Sequence, residues 1–212
     1  MKILTMKYLT SILLSLFILG TSAQDIKTEV ESLQQLVDNE QYMQAMGLAD
    51  KLIAKKVKEG LQQYASQVYL LRGISKYKLE LEQDAIVDLK VSQSLDSKNP
   101  ISYLYIADIY YKMTSYSSSL ENVIYFLEKV PNSVEGLVLK SKCELEMGNP
   151  APAKMSIQKA LALRSSDAEL YYIRAVINSS LDEKKLACQD IKIAAKFGFE
   201  AAEKRISSFC NK

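Results

Sequence analysis

A repeat of 34 residues runs through most of this 212-residue chain. Small residues recur at that spacing in two columns, Gly73, Ala107, Ser141 and Ala175, and Ala85, Ser119, Ala153 and Ala187. Small side chains at fixed places let two helix axes approach closely, and a repeat of this length is typical of stacked helical hairpins. The sequence therefore predicts an all-α, right-handed α-solenoid of antiparallel helix hairpins. Such folds make binding surfaces and rarely make active sites.

Four in-phase units can be placed end to end, at 66–99, 100–133, 134–167 and 168–201, and each is predicted to contain two helices. Asp167 and Asp182 precede the two helices of the fourth unit and are predicted to cap them. Residues 25–62 look like a degenerate N-terminal hairpin, as is usual for a terminal repeat. Residues 202–212 belong to a predicted C-terminal capping helix that runs from about Glu200 to Phe209.

The pattern resembles the tetratricopeptide repeat (TPR) family over 66–201. The two small columns carry the resemblance, together with the aromatic column Tyr69, Tyr103 and Tyr171. Two departures are Leu137, which stands at the aromatic place of the third unit, and Ser119, which replaces the usual Ala. The resemblance implies that the first helices of successive units line a concave groove that binds a segment of a partner protein.

Carried over by column, the resemblance implies which residues line that groove. The candidate partner-binding residues are Leu70, Ile74, Tyr77, Lys78, Leu104, Asp108, Tyr111, Lys112, Val138, Lys142 and Tyr172. An ordinary amphipathic face covered by neighbouring helices would give the same pattern, so both interpretations stay open. Some family members hold a peptide's C-terminal carboxylate with Lys and Asn. The comparable column here reads Leu70, Leu104, Val138 and Tyr172, which argues against such a clamp.

The N-terminal segment has the pattern of a secretory signal. Lys2 and Lys7 precede an apolar stretch from Leu9 to Leu19, and small residues follow at Thr21 and Ala23. The apolar stretch is shorter than the roughly 20 residues that span a bilayer. We predict a cleavable signal peptide at 1–23 and an exported protein of the periplasm, the outer membrane or the extracellular space. An uncleaved membrane anchor is the alternative.

Composition argues against several classes of function. After the predicted signal peptide, the chain carries 25 basic and 25 acidic residues, so it has no long-range field to recruit nucleic acid. It contains no His, which removes the commonest metal ligand and general base. Phosphate-binding and catalytic motifs are also missing, so we expect no enzyme activity, no metal and no cofactor.

Three cysteines remain in a chain predicted to be exported. Cys188 precedes the turn at Gly198 by ten residues and Cys210 follows it by twelve, so two antiparallel helices would place them side by side. We predict a Cys188–Cys210 disulfide, with two free thiols as the alternative. Cys143 shares an apolar column with Ile109 and Ile177 and is predicted to be a core residue.

These observations together favour a non-catalytic adaptor or scaffold of a bacterial envelope, which binds a protein partner in its groove. Two other hypotheses stay open. One is an accessory regulator of an envelope enzyme system, and the other is a structural solenoid that assembles with itself. The sequence predicts neither the partner nor the oligomeric state.

Overall fold

Helices and short turns alternate along residues 25–55 and 63–211, the part of the chain that the computed structural model describes. The first helix, α1, covers 25–38. It is followed by α2 (Tyr42–Lys55), α3 (Ala65–Lys78), α4 (Glu82–Leu95), α5 (Ile101–Lys112), α6 (Tyr116–Lys129), α7 (Val134–Glu146), α8 (Pro150–Leu163), α9 (Ala168–Ser180), α10 (Lys184–Lys196), α11 (Glu200–Glu203) and α12 (Ile206–Cys210).

Two helices lie in each of the four predicted units, and the all-α prediction is confirmed. The predicted signal peptide, 1–23, and the end of the predicted N-terminal hairpin, 56–62, lie outside the described residues. Within the described ranges, no helix has both the length and the apolar character needed to cross a membrane.

The chain divides into two compact units, Met1–Ser102 and Tyr103–Lys212. In the first unit, α3 packs against both α2 and α4. Its core contains Ile26, Val30 and Leu33 of α1, Ala45, Ala49 and Leu52 of α2, and Val68 and Leu71 of α3. The atypical N-terminal hairpin is therefore held by an apolar face that it shares with the next helix, as expected of a terminal repeat.

Three apolar clusters follow one another along the described residues of the second unit. The first joins α5, α6 and α7 through Ala107, Val123, Leu139 and Cys143. The second joins α7, α8 and α9 through Val134, Leu137, Ala153, Ile157, Ala160, Leu161, Leu170, Ile173 and Ile177. The third joins α9 to α12 through Ala175, Ala187, Ile191, Ala194, Ala202 and Phe209. Each cluster needs at least three consecutive helices, so no hairpin buries its apolar face alone.

The small residues of the repeat lie where paired helices touch, and all members of both columns are buried. A Cβ atom on Gly73 would lie only 2.9 Å from the Cγ atom of Leu89. The Ser119 hydroxyl donates a 2.7 Å hydrogen bond to the Ala107 carbonyl across the second hairpin. A buried hydroxyl without a partner is costly, and this bond allows Ser to stand where Ala is usual. Cys143 is fully buried, as predicted for a core residue.

Every hairpin turn contains one residue in the left-handed region. The φ angles are 61° at Glu80, 56° at Thr114, 77° at Gly148 and 58° at Asp182, at intervals of one repeat. Glu40 has the same conformation in the turn between α1 and α2. The residue after each of these donates its N–H to a carbonyl five positions earlier, as in Gln41 to Leu36 and Asn149 to Glu144. This is the Schellman arrangement, which satisfies carbonyls at the end of a helix.

The geometry of this turn shows that one of the two predicted helix caps, Asp182, was wrong. Asp167 caps α9 as expected, because its carboxylate accepts a hydrogen bond from the Glu169 N–H at 3.1 Å. Asp182 instead occupies the left-handed position of the turn, and Glu183 precedes α10 without a side-chain cap bond. The prediction was wrong by one residue because a Schellman turn places a residue between the last helical turn and the next cap.

The C-terminal segment also differs from its prediction. The single helix expected from Glu200 to Phe209 is two short helices, α11 and α12, separated at Lys204 and Arg205. Both short helices pack against α10, and Ala202 and Phe209 enter the same apolar cluster. Tertiary packing therefore overrides the helical pattern at this break.

The two C-terminal cysteines form the disulfide that their spacing predicts. The structure joins Cys188 of α10 to Cys210 of α12, with an S–S distance of 2.09 Å and a Cα–Cα distance of 4.8 Å. The bond closes a sequence separation of 22 residues. It therefore ties the last short helix to the second helix of the last hairpin.

Candidate partner-binding cleft

The second unit contains a cleft of about 380 Å³ between the first helices of its hairpins. It is lined by Leu104, Tyr105, Asp108 and Tyr111 of α5, by Glu135, Val138, Leu139 and Lys142 of α7, and by Glu169 of α9. Residues three and four apart share one face of a helix, which explains how α5 and α7 each present a row of these side chains. We call this site the α5–α9 cleft.

The structure brings five of the candidate residues together in the α5–α9 cleft. They are Leu104, Asp108, Tyr111, Val138 and Lys142. Lys112 is exposed on α5 but does not line the cleft. Tyr172 is half-buried on α9, one helical turn beyond Glu169. Their role in binding a partner stays a prediction.

The candidates of the first unit lie in a different environment. Leu70, Ile74 and Tyr77 expose only 7, 6 and 5% of their surface, whereas Lys78 is exposed. Buried side chains offer little area to a partner, so the groove interpretation loses its support at these three positions. Apolar spacing on α3 reflects core packing here, which was the second interpretation of the same pattern.

The floor of the α5–α9 cleft is apolar and aromatic. Leu104 and Val138 are half-buried, Leu139 is buried, and the ring of Tyr111 lies 5.5 Å from that of Tyr116. Burial raises the pKa of Tyr111, and the negative charge of Glu146 acts in the same direction. The phenol is therefore neutral at physiological pH. It can donate or accept a hydrogen bond beside a buried apolar side chain of a ligand.

Charged side chains form the rim of the cleft. The Lys142 Nζ atom lies 3.2 Å from a Glu169 carboxylate oxygen, and an Arg164 nitrogen lies 2.7 Å from a Glu135 carboxylate oxygen. The Glu135 backbone N–H and the Arg164 guanidinium lower the pKa of the Glu135 carboxyl. Exposed ion pairs of this kind contribute about 0–1 kcal/mol each, so a ligand can displace them at small cost.

Four residues that line the cleft are absent from the candidates given above, Glu135, Glu169, Tyr105 and Leu139. Glu135 and Glu169 share one repeat column, being 34 residues apart. Tyr105 and Leu139 each follow a predicted lining residue, Leu104 or Val138, by one position. A repeat column selects one residue per helical turn, the one that faces the groove. A cleft between two helices is also lined by the residues next to that column on each helix. Including the positions next to each column would have found Tyr105 and Leu139.

A second cleft, of about 440 Å³, lies between α6, α7 and α8. Its lining residues are Ile124, Leu127, Glu128, Pro131, Leu137, Lys140, Glu144, Pro152, Met155, Ser156 and Lys159. Two of its polar groups already bind Glu144, because Lys140 lies 3.2 Å from this carboxylate and the Ser156 hydroxyl donates to it at 2.8 Å. We call this site the α6–α8 cleft and use it below as a control surface.

Helix hairpins that repeat every 34 residues, with small residues at their contacts, define an α-solenoid of the TPR type. No protein-family model matches the chain, and none of the curated proteins matches it in sequence. Solved structures do share its fold.

MamA from Desulfovibrio magneticus RS-1 is 14% identical with a TM-score of 0.69, over 81% of this chain and 94% of that one. MamA AMB-1 is 16% identical with a TM-score of 0.71, over 80% of this chain and 96% of that one. YrrB, described as a TPR protein with an unusual peptide-binding site, is 13% identical with a TM-score of 0.67, over 81% of this chain and 86% of that one. At these identities the similarity establishes the fold, and the TPR architecture expected from the repeat columns is confirmed.

Proposed function

We propose that this protein is a non-catalytic interaction adaptor that binds a segment of a partner protein in the α5–α9 cleft. The observation that carries the proposal is the cleft itself, which combines an apolar floor, a neutral Tyr111 phenol and exposed charges. An apolar side chain can enter such a site while the flanking main chain and polar groups are fixed at the rim. The peptide-binding site of YrrB supports a peptide as the ligand of a chain with this fold.

The proposed location is beyond the inner membrane of a bacterial-type cell. The pattern of residues 1–23 supports export, and the Cys188–Cys210 disulfide suits an oxidising compartment. Fractionation of the native cell, followed by mass analysis of the purified chain, tests this. We expect envelope or extracellular fractions and a chain that begins at Gln24. A cytoplasmic chain that retains residues 1–23 would contradict export.

The binding site is tested with peptides, because the partner is unidentified. A display library of random dodecapeptides is selected on the oxidised protein spanning 24–212, and the enriched peptides are synthesised with a fluorescent label. Dissociation constants are then measured for the wild type and for two matched variants. Val138→Lys places a lysine on the floor of the α5–α9 cleft, and Met155→Lys places one on the α6–α8 cleft, where Met155 is 65% exposed.

We expect Val138→Lys to weaken binding at least tenfold, because a charge on the apolar floor is desolvated by the ligand, and Met155→Lys to leave it unchanged. Circular dichroism confirms that both variants remain helical. The opposite order of effects would place the peptide in the α6–α8 cleft. Failure to enrich any peptide would argue against an adaptor that recognises short segments.

A further inference from the structure

Arg205 differs from the other arginines of this chain. Arg72 pairs with Asp88 at 2.7 Å, Arg164 pairs with Glu135 at 2.7 Å, and Arg174 pairs with Asp190 at 2.6 Å. These are three of the four arginines in the sequence. Arg205 is exposed, and among the described residues no carboxylate lies within ion-pair distance of it. An arginine without an acidic partner can receive a carboxylate from outside the chain.

The Arg205 side chain is held in place by aromatic residues. Its guanidinium carbon lies 5.6 Å from the ring centroid of Tyr172 and 5.0 Å from that of Phe209. The same guanidinium donates a hydrogen bond to the Tyr172 hydroxyl. Phe209 precedes Cys210, whose disulfide fixes this segment to α10. These contacts reduce the rotamer freedom of a long side chain, so less entropy is lost when it binds a ligand.

Tyr172 places this arginine beside the α5–α9 cleft. Glu169 lines the cleft, and Tyr172 follows it by three residues on the same face of α9. The backbone of Tyr172 is therefore about one helical turn, about 5 Å of rise along α9, from that of Glu169 at the edge of the cleft, and the Arg205 guanidinium lies over the Tyr172 ring. Around Tyr111 the charges are of the opposite sign, since Asp108 of α5 and Glu146 of α7 both raise the pKa of Tyr111. At the α9 edge the Glu169 carboxylate is paired with Lys142, and Arg205 adds a positive charge over Tyr172, one helical turn further along α9.

We propose that Arg205 binds the carboxylate of an Asp or Glu side chain in the partner segment that occupies the α5–α9 cleft. The contact sets the direction of the segment, with its acidic residue at the α9 edge. An acidic side chain suits a single arginine, whereas a chain terminus is usually captured by several donors. The inference rests on the proposed function and adds the chemistry of the ligand to it.

The peptides selected on the wild type also test this inference. Each enriched peptide is measured against Arg205→Gln and against Lys204→Gln, a matched control that removes a charge from the neighbouring exposed residue. Lys204 pairs with Glu200 and does not line the cleft. We expect the peptides to share an acidic residue and Arg205→Gln to weaken binding about tenfold or more, as for loss of a charge-assisted hydrogen bond. Lys204→Gln should bind as the wild type does.

A double-mutant cycle tests whether Arg205 contacts the acidic side chain of the peptide. Replacing the acidic residue of the peptide by its amide should weaken binding to the wild type and have little further effect on Arg205→Gln. Peptides with a free or an amidated C-terminus should bind alike. Arg205→Lys should recover part of the affinity, because it restores the charge without the planar fork. Intact mass and circular dichroism confirm that each variant keeps its disulfide and its helices.

Three results would overturn the inference while leaving the proposed function in place. The first is equal binding of the peptides by Arg205→Gln and by the wild type. The second is a set of enriched peptides without an acidic residue. The third is a loss of affinity when the C-terminus of the peptide is amidated but not when its acidic side chain is replaced by the amide. If the library yields no ligand, or if Val138→Lys binds every peptide as the wild type does, the α5–α9 cleft is not the site. The proposed function and the inference then fail together.

Discussion

At the scale of single residues, the last hairpin is held by a partly buried ion pair that sequence reasoning missed. The Arg174 Nε and Nη2 atoms donate to the two carboxylate oxygens of Asp190 at 2.8 and 2.6 Å, and the Asn178 amide donates to the same carboxylate at 2.8 Å. The hydrogen bonds to Asp190 raise the pKa of Arg174, while burial acts in the opposite direction, so the guanidinium stays charged at physiological pH. Arg72 and Asp88 make the same bidentate pair three repeats earlier.

We predict that Asp190→Asn lowers the free energy of unfolding by about 2–4 kcal/mol, because it leaves the Arg174 charge without a partner in a partly buried site. Asp190 exposes only 4% of its surface, and the Arg174 side chain exposes 24%. Urea unfolding followed by circular dichroism measures the change. Glu169→Gln is the matched control, since it breaks the exposed pair with Lys142 and should cost less than about 1 kcal/mol. Equal losses for the two variants would contradict the prediction.

At the scale of elements, the hairpin turns are uniform in backbone geometry but not in sequence. The left-handed position is occupied by Glu80, Thr114, Gly148 and Asp182, so glycine fills it in one of these four turns. A side chain in this conformation has a close contact between its Cβ atom and the following carbonyl oxygen, which costs about 1–2 kcal/mol. Threonine is the least suitable of the four because it branches at Cβ.

We predict that Thr114→Gly raises the free energy of unfolding by about 0.5–1 kcal/mol, the relief of strain being partly offset by the greater freedom of glycine in the unfolded chain. Gly148→Ala is the reciprocal variant. A Cβ atom there would meet nothing within 4 Å, so its expected loss of about 1 kcal/mol comes from the backbone alone. Urea midpoints compare both variants with the wild type. A less stable Thr114→Gly protein would show that the threonine side chain stabilises the turn.

A separate prediction concerns how the disulfide stabilises the C-terminal helices. Replacing both Cys188 and Cys210 by Ser should lower the free energy of unfolding by about 3 kcal/mol, the chain-entropy estimate for a loop of this length. Hydrogen exchange should accelerate in α11 and α12 and remain slow in α7 and α8. A reductant should lower the melting temperature of the wild type and leave that of the double variant unchanged. A wild type that melts alike with and without reductant would contradict a stabilising bond.

The sequence predicts a helix contact correctly where the residue pattern is compatible with only one structural role. Ala85 and Ala107 had to be helix contacts, because small residues repeated at 34 positions serve few other purposes in a helical chain. Leu70 and Leu104 carry the same signal, yet one is buried and the other lines a cleft. Core and ligand site both require an apolar side chain, so the pattern alone could not separate them. Arg205 was missed because its position depends on a helix break that tertiary packing creates.

At the scale of the whole molecule, the α5–α9 cleft is formed by residues of the second unit. All nine residues that line the α5–α9 cleft lie within Tyr103–Lys212, as do Tyr172 and Arg205. The three apolar clusters described for this unit contain no residue that precedes Leu104. Repeat proteins are stabilised mainly by contacts between neighbouring repeats, so a run of three hairpins can fold without those before it.

We therefore predict that residues 99–212 fold on their own and bind the selected peptides with affinities within about threefold of the full mature chain. The fragment begins at Asn99 because its side chain accepts a 3.0 Å hydrogen bond from the Ile101 N–H at the start of α5. Circular dichroism and thermal unfolding test folding, and fluorescence anisotropy tests binding. Val138→Lys in the fragment is the control and should abolish the signal. A helical fragment that binds no peptide would show that recognition requires the first unit, because every residue of the proposed site is present in the fragment.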